Sequence, residues 1–473
     1  MDFSKNPSDL GNAQRMVRDH GNNIRYCGVP LKKWFIWDGK RWRVDTTGEI
    51  YRIAKKVVRN IYREARQQDD DEERRKTAKH ALRSEDTYRI NMMIVSVQSE
   101  PGIPVTLEDF DKDRCLFNVL NGTIDLKTGR IRAHRKKDLI TKIAPVVFDE
   151  NADCPKWKKF LNTIFEGKTD LINYFQKIIG MSLTGDITEK VFFIFFGPTS
   201  TGKSTSINVI GSTMGDYWVN VQPEAFLRYH NGNSSTSYLA RLKGARFITT
   251  SEPEKGKILK ESLIKQLTGD DKVTARFLYR EFFDFYAEGK VFFVTNHKPV
   301  IQGTDDAIWE RVRLIPFFVS IPEADRIKGY AKELQTELPG ILNWAIEGCL
   351  AWQKEGLGLP EEVKAVTGDY RNEMDFVRGF LDDVCIIDPD ADIPVGRLYT
   401  AYESWRILTH EKVLSKKAFG KIMEEKGFQQ KRDQNCRYWI GVRLNDFYTG
   451  FDDGDIDDPS LPFYAISSKS GNV

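Results

Sequence analysis

At 473 residues, 40% hydrophobic and 29% charged, the chain has the composition of a soluble globular protein and is too long for one core, so about three domains are expected. Its net charge of +3 gives no global case for a nucleic-acid partner, and its six scattered cysteines (Cys27, Cys115, Cys154, Cys349, Cys385, Cys436), with no C-x-x-C, argue against zinc sites and a disulfide framework and for reduced thiols. No apolar run reaches about 18 residues and the start MDFSKNPSDL is polar, so neither a membrane span nor a secretory leader is expected, and the location expected is cytoplasmic.

Residues 1–150 predict an N-terminal α+β domain. DLGNAQRMVRDH reads as a helix, and YCGVPLKKWFIWDGKRWRVD as two aromatic strands around an Asp38-Gly39 turn. Trp34, Trp37 and Trp42 either stack on bases or pack a small sheet, and packing is favoured. IYRIAKKVVRNIYREA and QQDDDEERRKTAKHALRSED mix acids with bases and predict a solvated helix pair rather than a binding tail. SEPGIPVT carries two prolines and breaks the pattern. LFNVLNGTIDLKTGRIRAHR reads as β-rich, with turn signals at Asn121-Gly122 and Thr128-Gly129. CPKWKKFLNTIFEG and TDLINYFQKIIGMSL then predict a helical collar over 151–190.

Val191–Phe196 is a short apolar run that reads as a buried parallel strand. Gly197-Pro198-Thr199-Ser200-Thr201-Gly202-Lys203-Ser204-Thr205 follows, and its first eight residues fit G-x-x-x-x-G-K-[ST] at every fixed position. A helix through Ile207–Ile210 completes the strand, loop and helix that a phosphate loop requires. Glycines at both ends let the backbone N–H groups wrap a polyphosphate, and the helix N-terminus adds partial positive charge. Lys203 is placed to reach the β- and γ-phosphates, and Ser204 to ligate Mg²⁺.

Four features follow within 191–322. Ala245–Ser251 reads as a strand ending in Glu252-Pro253-Glu254. An acid at the end of such a strand holds Mg²⁺ through water or polarises the attacking water; Glu252 is the first choice and Glu254 the reserve, with a surface turn as the alternative. Val273–Phe277 and Phe282–Tyr286 can pair as a hairpin carrying Lys272, Arg276 and Arg280 among aromatic residues. Charge with stacking surface suits a DNA strand, although a purely structural hairpin fits the same residues. Lys290–Asn296 reads as a further buried strand, whose Asn296 either contacts the γ-phosphate or its attacking water, or caps the turn. Arg311 and Arg313 stand before the apolar segment that ends at Phe317. One of them can stabilise the γ-phosphate of a neighbouring subunit, or both form surface ion pairs.

Residues 323–375 read as a helical lid and linker. In 376–445, Pro394–Leu408 and Ser415–Lys426 read as helices, the second opening on Lys416 and Lys417. Gln429–Leu444 reads as a hairpin rich in Lys431, Arg432, Arg437 and Arg443. Helix, helix and basic wing is the logic of a winged-helix-like DNA-binding domain, with a protein-docking module as the alternative. The tail, 446–473, is acidic and then Ser/Gly-rich and is expected to be disordered.

Phosphate loop, strand ending in Glu, TGDD hairpin, strand ending in Asn and arginine pair occur in that order. With DLGNAQRMV (Asp9–Val17), LFNVLNGTIDLKTG (Leu116–Gly129), ARLKGARFITTSEPEKG (Ala240–Gly256), FFVTNHKPVI (Phe292–Ile301) and DDAIWERVRLIPF, the chain resembles the superfamily 3 helicases of the phage and plasmid primase-helicase type shared with the poxvirus primase-helicase. The likeness covers roughly residues 9–445. It implies an α/β, AAA+-like P-loop core in a homo-oligomeric ring, usually a hexamer, that uses ATP and Mg²⁺ to translocate 3′ to 5′ on single-stranded DNA and unwind duplex DNA for a mobile element. By position it implies nucleotide-binding roles for Lys203 and Ser204, the catalytic or metal acid at Glu252, a sensor at Asn296, and at Arg311 the finger that completes a neighbour's site. Two departures stand out. Glu252-Pro253 replaces the paired acids of many relatives, and Trp309-Glu310-Arg311 replaces their Trp-Arg-Arg, which leaves Arg313 as a rival finger. A primase or polymerase module is an expected partner. The rival readings are an origin-binding initiator that uses ATP mainly to assemble, and a P-loop kinase or transferase, which leaves the Arg311 block and the basic C-terminal module unexplained.

Overall fold

The computed structural model describes residues 6–228, 237–250, 256–303, 305–409, 413–433 and 436–445. The chain forms two compact units, one of Met1–Pro299 with Arg313–Lys364, the other of Val300–Val312 with Ala365–Val473.

In the first unit, Ser8 caps the helix Asp9–His20 by accepting the Gly11 N–H at 3.0 Å. A four-stranded sheet follows in the order Trp42–Val44, Lys33–Trp37, Ile24–Cys27, Pro104–Val105. Trp37 pairs with Trp42 across the Asp38-Gly39 turn, as the sequence predicts. Trp42 is fully buried and Trp34 nearly so, so they pack the sheet rather than offer faces to bases. The two charged stretches form the expected helix pair, Glu49–Arg66 and Asp71–Ser84, and a third helix, Thr87–Val97, follows directly. The break before it is made by Asp86, whose carboxylate accepts the Tyr88 N–H at 2.8 Å and starts a new helix without a glycine or proline to announce it. A buried polar link ties Asp71–Ser84 to the helix Asp9–His20: the Asn12 amide meets His80 Nε2 at 2.8 Å and donates to Ser84 Oγ at 2.9 Å.

Leu116–Val119, Gly122–Asp125 and Arg130–Arg132 form the expected hairpin sheet. The collar helices Pro155–Ile164 and Thr169–Leu183 also appear, the latter against Leu338–Glu355. That contact is backbone on backbone. A Cβ at Gly180 would lie 2.1 Å from Cys349 N, and one at Gly348 would lie 2.2 Å from Gln176 O.

The central sheet has five strands: β1 (Phe192–Phe196), β2 (Trp218–Val221), β3 (Phe247–Thr250), β4 (Lys290–Thr295) and β5 (Val312–Pro316), in the order β5-β1-β4-β3-β2. The β1–β4, β4–β3 and β3–β2 pairs are parallel. Both faces are covered, which is why β1 and β4 read as continuous apolar runs. The Phe193 and Phe292 rings stack at 4.9 Å across that pairing. One hydrophobic cluster includes Phe117, Trp157, Phe195, Ile210, Trp344 and Val363, and so draws on four of the segments read from the sequence.

In the second unit, helices Val395–Leu408 and Lys416–Glu425 and strands Gln430–Arg432 and Arg437–Leu444 follow the sequence reading. A helix, Arg378–Val384, and a long strand, Cys385–Pro394, are added, and the strand pairs with Arg437–Leu444. Its sequence, CIIDPDADIP, hides it: two prolines and three aspartates break the alternation, and its register slips between Ile387 and Asp392. Phe380, Tyr402, Phe419 and Trp439 form the core. Among the described residues, no helix is long and apolar enough to cross a membrane.

Candidate functional site

The carboxyl ends of β1, β3 and β4 open into a cleft of about 520 Å³, the place where open parallel sheets bind ligands. Thr199–Thr205 form one wall, with Ile207 and Asn208; Trp218, Asn220, Thr249, Thr250 and Val294–Asn296 form the other.

The loop wall is built by two glycines. Gly197 leaves β1 so close to the chain after β5 that a Cβ would sit 1.8 Å from Phe317 O. Gly202, at φ +86°, ends the loop and starts helix α1 (Lys203–Met214). Ser200 is also left-handed, at φ +60°. Such alternation turns successive N–H groups toward one point and makes an anion-binding concavity. Lys203 is buried, and its ammonium donates to Gly197 O at 2.7 Å, to Thr201 Oγ1 at 3.1 Å and to Pro198 O. Ser204 is exposed and lines the cleft one residue further on.

The opposite wall is polar. Trp218 Nε1 donates to Thr249 Oγ1 at 2.8 Å, and that hydroxyl donates to Asn220 Oδ1 at 3.2 Å. Thr250, at the end of β3, has a buried hydroxyl with no hydrogen-bond partner among the described residues. Asn296 follows β4 and lines the cleft. The flanking turn is fixed by Thr295, whose hydroxyl accepts the His297 N–H at 2.9 Å and donates to His297 O at 2.6 Å. A buried ammonium, an anion-turned loop, the Ser204 hydroxyl and the orphaned Thr250 hydroxyl together fit a nucleoside triphosphate with Mg²⁺.

Seven of the nine loop residues, Thr199–Thr205 with Lys203 and Ser204 among them, therefore line one cleft with Asn296, while Gly197 and Pro198 lead into the loop from β1. Glu252 and Glu254 lie outside the described residues, just beyond Thr250. Arg311 falls in the second unit and donates to Ala307 O, one turn back in the helix Asp306–Trp309. Arg313 falls in the first unit, on β5, beside the Tyr174 phenol, whose pKa burial pushes up and this guanidinium pulls back. Sequence reasoning missed Trp218, Asn220 and Thr250. The Thr249-Thr250 pair at the end of an apolar strand was the signal available for the last.

The hairpin forms with register Lys272↔Tyr286, Thr274↔Asp284 and Arg276↔Phe282, so these six share its exposed face. The Arg276 guanidinium lies 4.9 Å from the Phe282 ring centre, and the Lys272 ammonium 5.8 Å from that of Tyr286. Arg280 is exposed beside the tip residue Tyr279, itself 94% exposed. In the second unit, Lys416 and Lys417 are exposed at the start of their helix, and Lys431, Arg432 and Arg437 on the hairpin, where Arg432 pairs with Arg437.

Residues 13–166 match the family model described as D5 N terminal like, and residues 195–311 match a family of unknown function (DUF5906). The chain is similar to "Putative helicase L207/L206" of Acanthamoeba polyphaga mimivirus, 28% identical over 326 residues that cover 64% of this chain and 34% of that protein. It is also similar to "Primase D5" of fowlpox virus, 27% identical over 148 residues, or 30% of this chain and 18% of that one. The chain thus spans about a third or less of the length of these two relatives. Among solved structures, the apo C-terminal region of NrS-1 superposes with a TM-score of 0.50 at 11% identity, over 89% of this chain and 96% of that one, a likeness of fold.

Proposed function

Because the chain belongs to the superfamily-3-like primase-helicase family of poxviruses and other large DNA viruses, we propose that it is the ATP-driven helicase part of a DNA replication machine. The observation that carries this is the cleft in which Thr199–Thr205 of the loop, Thr250 and Asn296 converge at the ends of parallel strands. ATP with Mg²⁺ supplies, when bound, the phosphoanhydride whose hydrolysis drives movement. The loop would hold its phosphates, and Ser204 with Glu252 its metal, Glu254 being the reserve acid. Lys203 donates to three loop oxygens, which keeps its charge at the loop, and it would exchange some of these bonds for the phosphate oxygens when the nucleotide binds. Asn296, inside the turn that Thr295 and His297 close, would orient a water or the γ-phosphate.

The rest of the cycle belongs to the same reading. Copies assemble as an AAA+-like ring, expected to be a hexamer, in which Arg311, or Arg313, completes the neighbour's site. Arg276, Phe282, Lys272 and Tyr286 offer charge and ring faces to a single strand, which is pulled 3′ to 5′. The basic hairpin of the second unit acts as a winged-helix-like contact with DNA, and a primase module is the proposed partner. That hairpin also supports the second reading, an origin-binding initiator.

The test is displacement of a strand from a forked duplex with a 3′ tail. ATP-dependent displacement and hydrolysis are expected from the wild type, and neither reaction from Lys203→Ala. Hydrolysis undiminished in Lys203→Ala would overturn the assignment of the cleft. Protection of one duplex sequence without displacement would favour the initiator.

A further inference from the structure

A basic helix face lies in the N-terminal part of the chain, away from every residue given a role above. In Glu49–Arg66, the buried residues Ile50, Ala54, Val57, Val58, Ile61 and Ala65 form one face. At 3.6 residues per turn, Arg52, Lys56, Arg59, Arg63 and Arg66 fall within an arc of about 80° directly opposite, a track about 21 Å long. All five are exposed. Of the helix's two acids, Glu64 is engaged by Arg15 at 2.9 Å and Arg18 at 3.1 Å, and Glu49 by Arg43, with Arg52 also 4.0 Å away, so the acids offset at most Arg52 among the five. Among the described residues, Lys56, Arg59, Arg63 and Arg66 form no ion pair.

Like charges one turn apart repel, and a helix gains nothing in its own stability from such a row. A polyanion turns that repulsion into attraction. We infer that this face is a docking track for the phosphate backbone of duplex DNA. Duplex is favoured over single strand because the track is all cation. The face has no ring centred on it, whereas the hairpin at 272–286 sets Lys272 and Arg276 over aromatic rings, the kind of surface that suits unpaired bases. The inference rests on the reading of the chain as acting on DNA, and adds a place where the unseparated duplex is held without regard to sequence.

The experiment uses the full 473-residue chain and the triple variant Lys56→Gln/Arg59→Gln/Arg63→Gln, whose exposed sites leave folding intact. Binding of a labelled blunt 20-base-pair duplex and of oligo(dT) is measured by anisotropy from 50 to 200 mM salt. The variant is expected to lose at least tenfold in duplex affinity and about two to three units of salt slope, at about 0.9 for each phosphate no longer neutralised. Its oligo(dT) binding and ATP hydrolysis are expected to stay at wild-type levels, and matching circular dichroism shows that it folds. Unchanged duplex affinity and slope would overturn the inference while leaving the helicase reading intact. An altered oligomeric state with unchanged duplex binding would overturn it in favour of a protein interface. A wild type that binds neither DNA nor ATP would sink both.

Discussion

The Tyr217 phenolic oxygen, fully buried, accepts the backbone N–H of Asn118 at 3.1 Å. Tyr217 stands just past α1, and Asn118 lies in the hairpin sheet before the collar. The same ring stacks on Phe117 at 4.7 Å and receives the Arg246 guanidinium at 4.6 Å. Next to it, the Asp216 carboxylate binds Arg41 and accepts the Ile143 N–H at 3.1 Å. The far end of α1 is thus tied to the N-terminal strands. Tyr217→Phe keeps the ring but strands a buried N–H, so a loss of about 1–3 kcal/mol is expected in urea unfolding. ATP affinity should change little, because the cleft lies at the other end of α1.

Gly197→Ala tests the loop's geometry. The added Cβ meets a backbone oxygen at 1.8 Å, which no side-chain rotation relieves. Either β1 and the chain after β5 separate, at about 1–3 kcal/mol, or the loop moves. Thermal melting should fall and fluorescent-ATP binding should be lost together. Thr199→Ala, at an exposed position of the same loop, should leave melting unchanged.

Arg311 and Arg313 separate by their neighbours. Arg311→Ala should leave ATP binding intact, reduce hydrolysis by about a thousandfold, and poison wild-type subunits in mixed assemblies. Arg313→Ala should lower the melting temperature as well, because Arg313 is half-buried on β5 and the change removes the packing of its stem. Poisoning by Arg313→Ala with unchanged melting would make Arg313 the finger.

The hairpin's face makes its own prediction. Phe282 is 58% exposed, so Phe282→Ala should cost little stability, within about 0.5 kcal/mol. If a base stacks there beside Arg276, the same change should weaken oligo(dT) binding by about 1–3 kcal/mol and reduce its stimulation of hydrolysis. Unchanged binding in Phe282→Ala and Arg276→Ala would make the hairpin structural.

Elements whose signal is local were legible. β1 and β4 announce themselves as apolar runs, the loop by its glycines and lysine, and the 272–286 hairpin by its alternation. What depends on distant partners was not. Trp218–Val221 is a four-residue strand that follows a short 3₁₀ turn, and only β3 beside it makes it one. Cys385–Pro394 is a strand because Arg437–Leu444 pairs with it, against its prolines. Asn118 was read only as part of a β-rich stretch, yet its side chain donates to Lys40 O and Lys142 O, both at 3.1 Å, and accepts from Thr123. In the site, the loop was legible from spacing, while the Trp218–Thr249–Asn220 wall is assembled from two strands nearly thirty residues apart in sequence.

Lys290 gives a pH-dependent prediction. It opens β4 at the end of the sheet opposite the cleft, is 3% exposed, and donates to Thr184 O at 2.6 Å. Burial, with Arg246 nearby adding repulsion, pulls its pKa from 10.5 down to about 7. Between these values the unfolded chain carries the proton and the folded chain does not, so the unfolded state binds more protons and stability falls as pH falls. The slope is at most about 1.4 kcal/mol per pH unit across that window, and below pH 7 both states are charged and the penalty is constant. Lys290→Met removes the titration at the cost of the Thr184 hydrogen bond. Urea unfolding of both proteins from pH 6 to pH 10 should therefore show the difference moving in the variant's favour as pH drops from 10 to 7, then levelling. A difference that does not vary with pH would mean that Lys290 keeps its proton in the fold, balanced by the nearby carboxylates of Asp186 and Glu288.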